Sequence, residues 1–279
     1  MKNILLPTDY SENSLNAIRY AISFFRKTRC NFFLFNAVPI STLISGDMVY
    51  AANTIQLEKT ITESAKLKMK NLVKRIEKED YNPKHNFVSL VEYDHLVSGI
   101  KHMVADKNID LIVMGTKGAS GLKEVVLGSN TGSVITRVQS NVLVIPEEAK
   151  FIPPEEIAFA TDYNLLYNAK ILDPLLEIAK KNEAMIRVLH VSRRDEVLSQ
   201  EQKENKELLG EYLKDIDHHF HSVTNKKLEA AVECFVQSRE VQMIAMIAKN
   251  LNFFQQILFK PTIEEISYHT KVPFLVLHE

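Results

Sequence analysis

Five of the eight glycines in this 279-residue chain fall between residues 115 and 132. They follow the apolar run Leu111-Ile112-Val113-Met114 and take the spacing Gly115-x2-Gly118-x9-Gly128-Ser129. Gly115 and Gly118 have no Cβ, so backbone there can approach a ligand closely. Gly128-Ser129 opens a helix, and free N–H groups, the positive end of the helix dipole and a hydroxyl then meet at one point that suits a phosphate. A plain turn between strand and helix also uses glycine, so the spacing alone does not decide. A Walker loop would need a lysine between Gly128 and Ser129, and the dinucleotide fingerprint would follow the first strand, not the fourth. Lys117 and Lys123 lie near this stretch and read as solvated surface lysines.

The second candidate is Pro7-Thr8-Asp9, which ends the first apolar run. A carboxylate does not favour a phosphate, so Asp9 fits a ribose hydroxyl or a metal ion; as a mere helix cap it competes with the better placed Ser11. Together the two stretches fit a nucleotide with its phosphates on a helix terminus. In "DHHFH", 217–221, His219 and His221 share one face of a strand, but no closed ligand set is visible and no metal site is assigned. "SRRDE", 192–196, reads as a solvated loop. Cys30 and Cys234 match no metal spacing and read as buried free thiols.

The elements that position these residues repeat. "ILLPTDYS" at 4–11 returns as "IAFATDYN" at 157–164, each ending in a residue that suits a helix N-cap, Ser11 and Asn164. "FFLFNAV" at 32–38 returns as "IRVLHVS" at 186–192. The stretch from 125 returns from 256; without a gap, Gly115 meets Met246, Gly118 Lys249, Gly128 Phe259, Ser129 Lys260 and Asn130 Pro261. Paired prolines in Phe151-Ile152-Pro153-Pro154-Glu155 mark the border, giving units 1–150 and 151–279.

In the first unit the pattern predicts strands at 3–7, 31–38, 86–91, 110–114 and 142–145. Helices are predicted at 11–27, about 55–79, 95–107 and 129–139. Strands such as "DLIVM" are apolar throughout, as a parallel sheet covered on both faces requires. Right-handed crossovers then give two tandem flavodoxin-like (Rossmann-like) doubly wound α/β domains. Ligands of such sheets bind beyond the carboxyl ends of the strands, where Pro7-Thr8-Asp9 and Met114-Gly115 both fall.

The glycine spacing after an apolar strand, with Pro-Thr-Asp ending the first, resembles the universal stress protein family, and in particular its ATP-binding branch. The resemblance covers the chain as two tandem domains, the first with the full motif. It implies ATP as ligand, with magnesium as a companion ion. Contacts would fall on Pro7, Thr8 and Asp9, on Ala37 at the adenine, on Met114, Gly115 and Gly118 in the loop, and on Gly128, Ser129, Asn130 and Thr131 around the phosphates. Ala37 is smaller than the branched residue often found there. The final strands, "NVLVIP" and "VPFLVLH", are apolar edges expected to pair with each other as an intramolecular pseudo-dimer, with a further homodimer as an extension.

The net charge of −1 gives no general attraction to nucleic acid or membrane. No signal-peptide core or membrane span is read, so the expected place is the cytoplasm. The expected role is a stress-response regulatory module that binds nucleotide in the first domain without fast turnover. A slow ATP hydrolase and a ligand-free interaction scaffold are the alternatives. Phosphoryl transfer needs a positioned base, and no second carboxylate or partnered nucleophile stands out.

Overall fold

The computed structural model describes residues 1–38, 50–116, 129–192, 197–225, 228–248 and 272–279. Gly118, Gly128, Lys117, Lys123 and residues 193–196 lie outside these, as do Lys249, Phe259, Lys260 and Pro261. The first half supplies β1 (Lys2–Pro7), α1 (Glu12–Phe24), β2 (Cys30–Val38), α2 (Tyr50–Glu79), β3 (His85–Tyr93), α3 (Leu96–Lys107), β4 (Leu111–Gly115), α4 (Ser129–Arg137) and β5 (Val142–Ile145). The second supplies β6 (Glu156–Thr161), α5 (Ala169–Asn182), β7 (Met185–Ser192), α6 (Gln200–Leu213), β8 (His218–Thr224), α7 (Leu228–Ser238), β9 (Met243–Ile247) and β10 (Phe274–Leu277).

The described strands form one sheet in the order β3-β2-β1-β4-β5-β10-β9-β6-β7-β8. Every neighbouring pair is parallel except β5 and β10, which run antiparallel. The winding reverses between β1 and β4, the doubly wound arrangement of a flavodoxin-like fold.

Alternate strand residues feed two cores. On one face Ile4, Leu6, Phe32 and Leu34 belong to a buried cluster that runs along the sheet and takes in Leu15 and Ile18 of α1, Met69 of α2, Leu172 of α5 and Leu209 of α6. Leu5, Phe33, Phe35 and Ile112 face the other way, into a second cluster that includes Ile100 of α3, Val134 of α4 and Val232 of α7. Burial on both faces explains why β4 and β9 are apolar from end to end.

The hydrogen-bond ladders fix which residues of the two halves correspond. Ile4 pairs Leu111 and Ile157 pairs Met243; Ile112 pairs Val142 and Ile244 lies beside Phe274. Leu111 therefore corresponds to Met243, and Leu143 to Leu275. Across the antiparallel junction Leu143 pairs with Leu275 itself.

The cysteines differ. Cys30 is buried, and burial pushes its thiol up to about 11. Cys234, expected to be buried, is exposed: α7 buries Ala231, Val232, Phe235 and Val236, which leaves 234 on the outer face.

Candidate functional site

The carboxyl ends of β1 and β4 meet at the reversal of winding. Carrying the Leu5–Ile112 register forward brings Thr8 level with Gly115, and the Pro7–Phe35 register brings Asp9 level with Ala37. Pro7, Thr8, Asp9, Ala37, Met114 and Gly115 thus line up across three adjacent strand ends.

The Thr-Asp-Tyr turn is held by its own hydrogen bonds. Thr8 is buried; its hydroxyl accepts from Tyr10 N–H (3.0 Å) and bonds Ser14 Oγ (2.9 Å). Ser14 Oγ gives its proton to the Ser11 carbonyl, so Thr8 is the donor of that pair. The Thr8 carbonyl accepts from Asn36 Nδ2 at 2.7 Å and its N–H donates to Phe35 O at 2.8 Å. Thr8 is therefore fully engaged in support. Asp9 is exposed, and its Oδ1 accepts from Ser11 N–H (3.0 Å) and Ser11 Oγ (2.6 Å). Ser11 is the N-cap of α1, accepting from Ser14 N–H, which leaves Asp9 bracing the cap from the solvent side. Tyr10 closes the turn with φ 65°.

Gly115 answers to α1. A Cβ there would lie 2.7 Å from Asn13 Oδ1 and 3.1 Å from the Asn13 carbonyl. The glycine is required where β4 runs under the first turn of α1, whether or not a ligand approaches. Its carbonyl accepts from the buried Thr131 hydroxyl at 2.7 Å, which pins the first turn of α4 to the end of β4. Ser129 is the first residue of α4 and Asn130 is exposed beside it. The N-terminus of α4 therefore stands at the strand ends that carry Asp9.

Gly115→Ala is expected to lower stability by about 1–3 kcal/mol, the cost of overpacking a closely packed site. Combining it with Asn13→Ala should return part of that, since the nearest clash is with a side chain. Denaturant midpoints check this, and an unchanged midpoint in the single variant would overturn the packing explanation.

The second half builds the same turn. Tyr163 N–H donates to Thr161 Oγ1 (3.1 Å), Asn164 N–H to Asp162 Oδ1 (3.0 Å), and Tyr163 has φ 59°. His190 takes the place of Asn36 and bonds the Thr161 carbonyl through Nδ1 at 3.1 Å. Two expectations need correction. Asn164 is not the N-cap: the helix starts later and Asn168 caps it, accepting from Ile171 N–H at 3.0 Å. Tyr167 is buried with its hydroxyl on Thr161 Oγ1, which holds the intervening chain in place.

The gapless alignment is also one residue out. By the ladders Gly115 corresponds to Ile247, and the equal lengths between β4–β5 and β9–β10 carry Gly118 to Asn250, Gly128 to Lys260 and Ser129 to Pro261. Relative to the Thr-Asp-Tyr turn, α5 starts later than α1, at Ala169 against Glu12.

Sequence reasoning missed Asn13, Ser14 and Asn36, which shape the site from behind. Asn36 had a visible signal, as a polar residue in the apolar run "FFLFNAV".

His219 and His221 lie on one face of β8, ring centroids 6.4 Å apart. His221 packs edge-on against Phe235, and burial together with Arg187 and Arg239 lowers its pKa. Glu92, Asp94 and His102 bring three potential ligand atoms within 4.8 Å of one another at the end of β3, on a surface where His102 is 71% exposed.

This arrangement, with a helix N-terminus pinned at the strand reversal, is that of a doubly wound α/β fold. Residues 1–146 match the model of the Universal stress protein family, and the chain belongs to that family. Universal stress protein MJ0577 of Methanocaldococcus jannaschii is 29% identical over 156 residues, 52% of this chain and 94% of the relative. Universal stress protein MJ0531 of the same organism is 29% identical over 151 residues, 53% of this chain and 84% of the relative. A solved universal stress protein from Archaeoglobus fulgidus is similar over 98% of this chain and 97% of its own, with a TM-score of 0.70 and 18% identity. That likeness extends the fold across both halves. Among the described residues no helix is long and apolar enough to cross a membrane.

Proposed function

We propose that the first half binds ATP in the crevice between β1 and β4 and that the chain acts as a cytoplasmic stress-response regulatory module. The observation that carries this reading is the Thr131 hydroxyl on the Gly115 carbonyl, which fixes the N-terminus of α4 beside Asp9. Phosphates would lie on the N–H groups around Gly128, Ser129, Asn130 and Thr131, where the helix dipole favours negative charge. The ribose would meet Asp9, a carboxylate with several acceptor positions that would also hold a magnesium ion. Adenine would lie over Ala37, with Pro7, Thr8, Met114, Gly115 and Gly118 forming the walls.

The two halves would be tandem copies, 1–150 and 151–279, joined through β5 and β10 as an intramolecular pseudo-dimer. Equivalent residues meeting across that junction, Leu143 on Leu275, support this arrangement. The second copy would not bind nucleotide, because Ile247, Asn250, Lys260 and Pro261 stand where the first has Gly115, Gly118, Gly128 and Ser129.

Binding without fast turnover is the expected behaviour. Titration with ATP and with ADP should give saturable binding, while a long incubation with ATP should release little phosphate. Multiple turnovers would turn the reading to a hydrolase, and no binding of either nucleotide would leave a scaffold.

A further inference from the structure

Asn36 is the buried polar residue near the end of the apolar strand β2. The last β1–β2 pair in the ladder is Pro7 with Phe35, which puts Asn36 level with Thr8. Thr8 N–H donates to Phe35 O at 2.8 Å, and the Thr8 carbonyl accepts from Asn36 Nδ2 at 2.7 Å. The peptides on both sides of Thr8 are thus tied to β2, the first by main chain and the second by a side chain. The second of these peptides leads directly into Asp9.

The second half meets the same need with another residue. Thr161 pairs with His190, and the Thr161 carbonyl accepts from His190 Nδ1 at 3.1 Å. The imidazole stacks on Tyr163, with ring centroids 5.0 Å apart. A carbonyl of a buried residue is costly to leave without a donor. The position therefore calls for a donor where the ladder stops, and the side chain that carries it is exchangeable.

We propose that Asn36 is a positioning residue for ribose recognition, which acts through the Thr8–Asp9 peptide to aim the Asp9 carboxylate at a ribose hydroxyl. This role rests on the reading of the crevice as a nucleotide site. Ser11 holds the side-chain end of Asp9, through bonds from its N–H and Oγ to Oδ1, and Asn36 holds the backbone end. A hydroxyl then meets a carboxylate already in place, in a charge-assisted bond made at little ordering cost. Without the Asn36 donor the peptide before Asp9 can turn, and that bond weakens. The phosphate contacts on α4 are held separately, by the Thr131 hydroxyl on the Gly115 carbonyl.

The test is calorimetry on the full chain with ATP and with 2′,3′-dideoxy-ATP, which keeps the base and phosphates and lacks both ribose hydroxyls. The parent is expected to prefer ATP by about tenfold, the scale of one hydrogen bond to a charged group. Asn36→Leu, which keeps the branched shape, and Asn36→Ala, which does not, should each cut that preference to about twofold, with dideoxy-ATP bound as in the parent. Asn36→His should restore it, since Tyr10 stands where the second half has Tyr163 under its imidazole. General loosening of the fold would weaken both nucleotides together and leave the preference unmoved. An unchanged preference in the Leu and Ala variants overturns the role of Asn36, as does a loss that Asn36→His does not reverse. A parent that binds both nucleotides equally overturns it too, while leaving ATP binding intact. A parent that binds no ATP overturns the nucleotide reading itself and this role with it.

Discussion

Gly128→Phe is expected to lower ATP affinity by at least about a hundredfold, about 2.7 kcal/mol, with the unfolding midpoint close to the parent's. The residue immediately precedes α4, whose first turn is anchored by the Thr131 hydroxyl on the Gly115 carbonyl. A phosphate on those N–H groups needs the space that an aromatic side chain would take. Calorimetry on parent and variant checks this. The contrast with Gly115 is informative, because substitution there should cost stability first: Asn13 lies 2.7 Å from the place of its Cβ. Two glycines of one motif are thus expected to fail in different ways. Unchanged ATP affinity in Gly128→Phe would remove the phosphate from this helix.

The central strands β1, β4 and β5 were legible because they are buried on both faces. Val142–Ile145 is the segment read from "NVLVI", β1 and β2 each begin one residue before the expected start, and β4 is shifted by one residue at both ends. The reversal between β1 and β4, on which the crevice depends, followed from the winding rules once the strands were placed. Sequence pattern was weaker where neighbours decide. Asn164 has the chemistry of an N-cap, yet it is used within the turn, donating to Asp162, and the buried Tyr167 delays the helix to Ala169. Gly115 read as room for a ligand, whereas the crowding Asn13 is distant in sequence and visible only once α1 packs on β4. Cys234 sits in a helix whose buried face could have excluded it by periodicity. The one-residue error in aligning the halves arose because the strands after the glycine stretch are short and uniformly apolar, so only the ladders fix their register.

That register bears directly on the central claim, which is that one half of the chain binds nucleotide and the other does not. Both halves keep the Thr-Asp-Tyr turn with the same internal bonds, Tyr10 on Thr8 and Tyr163 on Thr161. The turn alone therefore does not distinguish them. What differs is the segment after the fourth strand of each half, where glycines give way to Ile247, Asn250 and Lys260, and Pro261 removes a backbone donor at the place of Ser129. The most direct measurement is the number of ATP molecules bound per chain at saturation, by calorimetry on protein stripped of any co-purified ligand. The account predicts one per chain, lost in Gly128→Phe. Two equivalent sites per chain, or one site that survives Gly128→Phe, would contradict it.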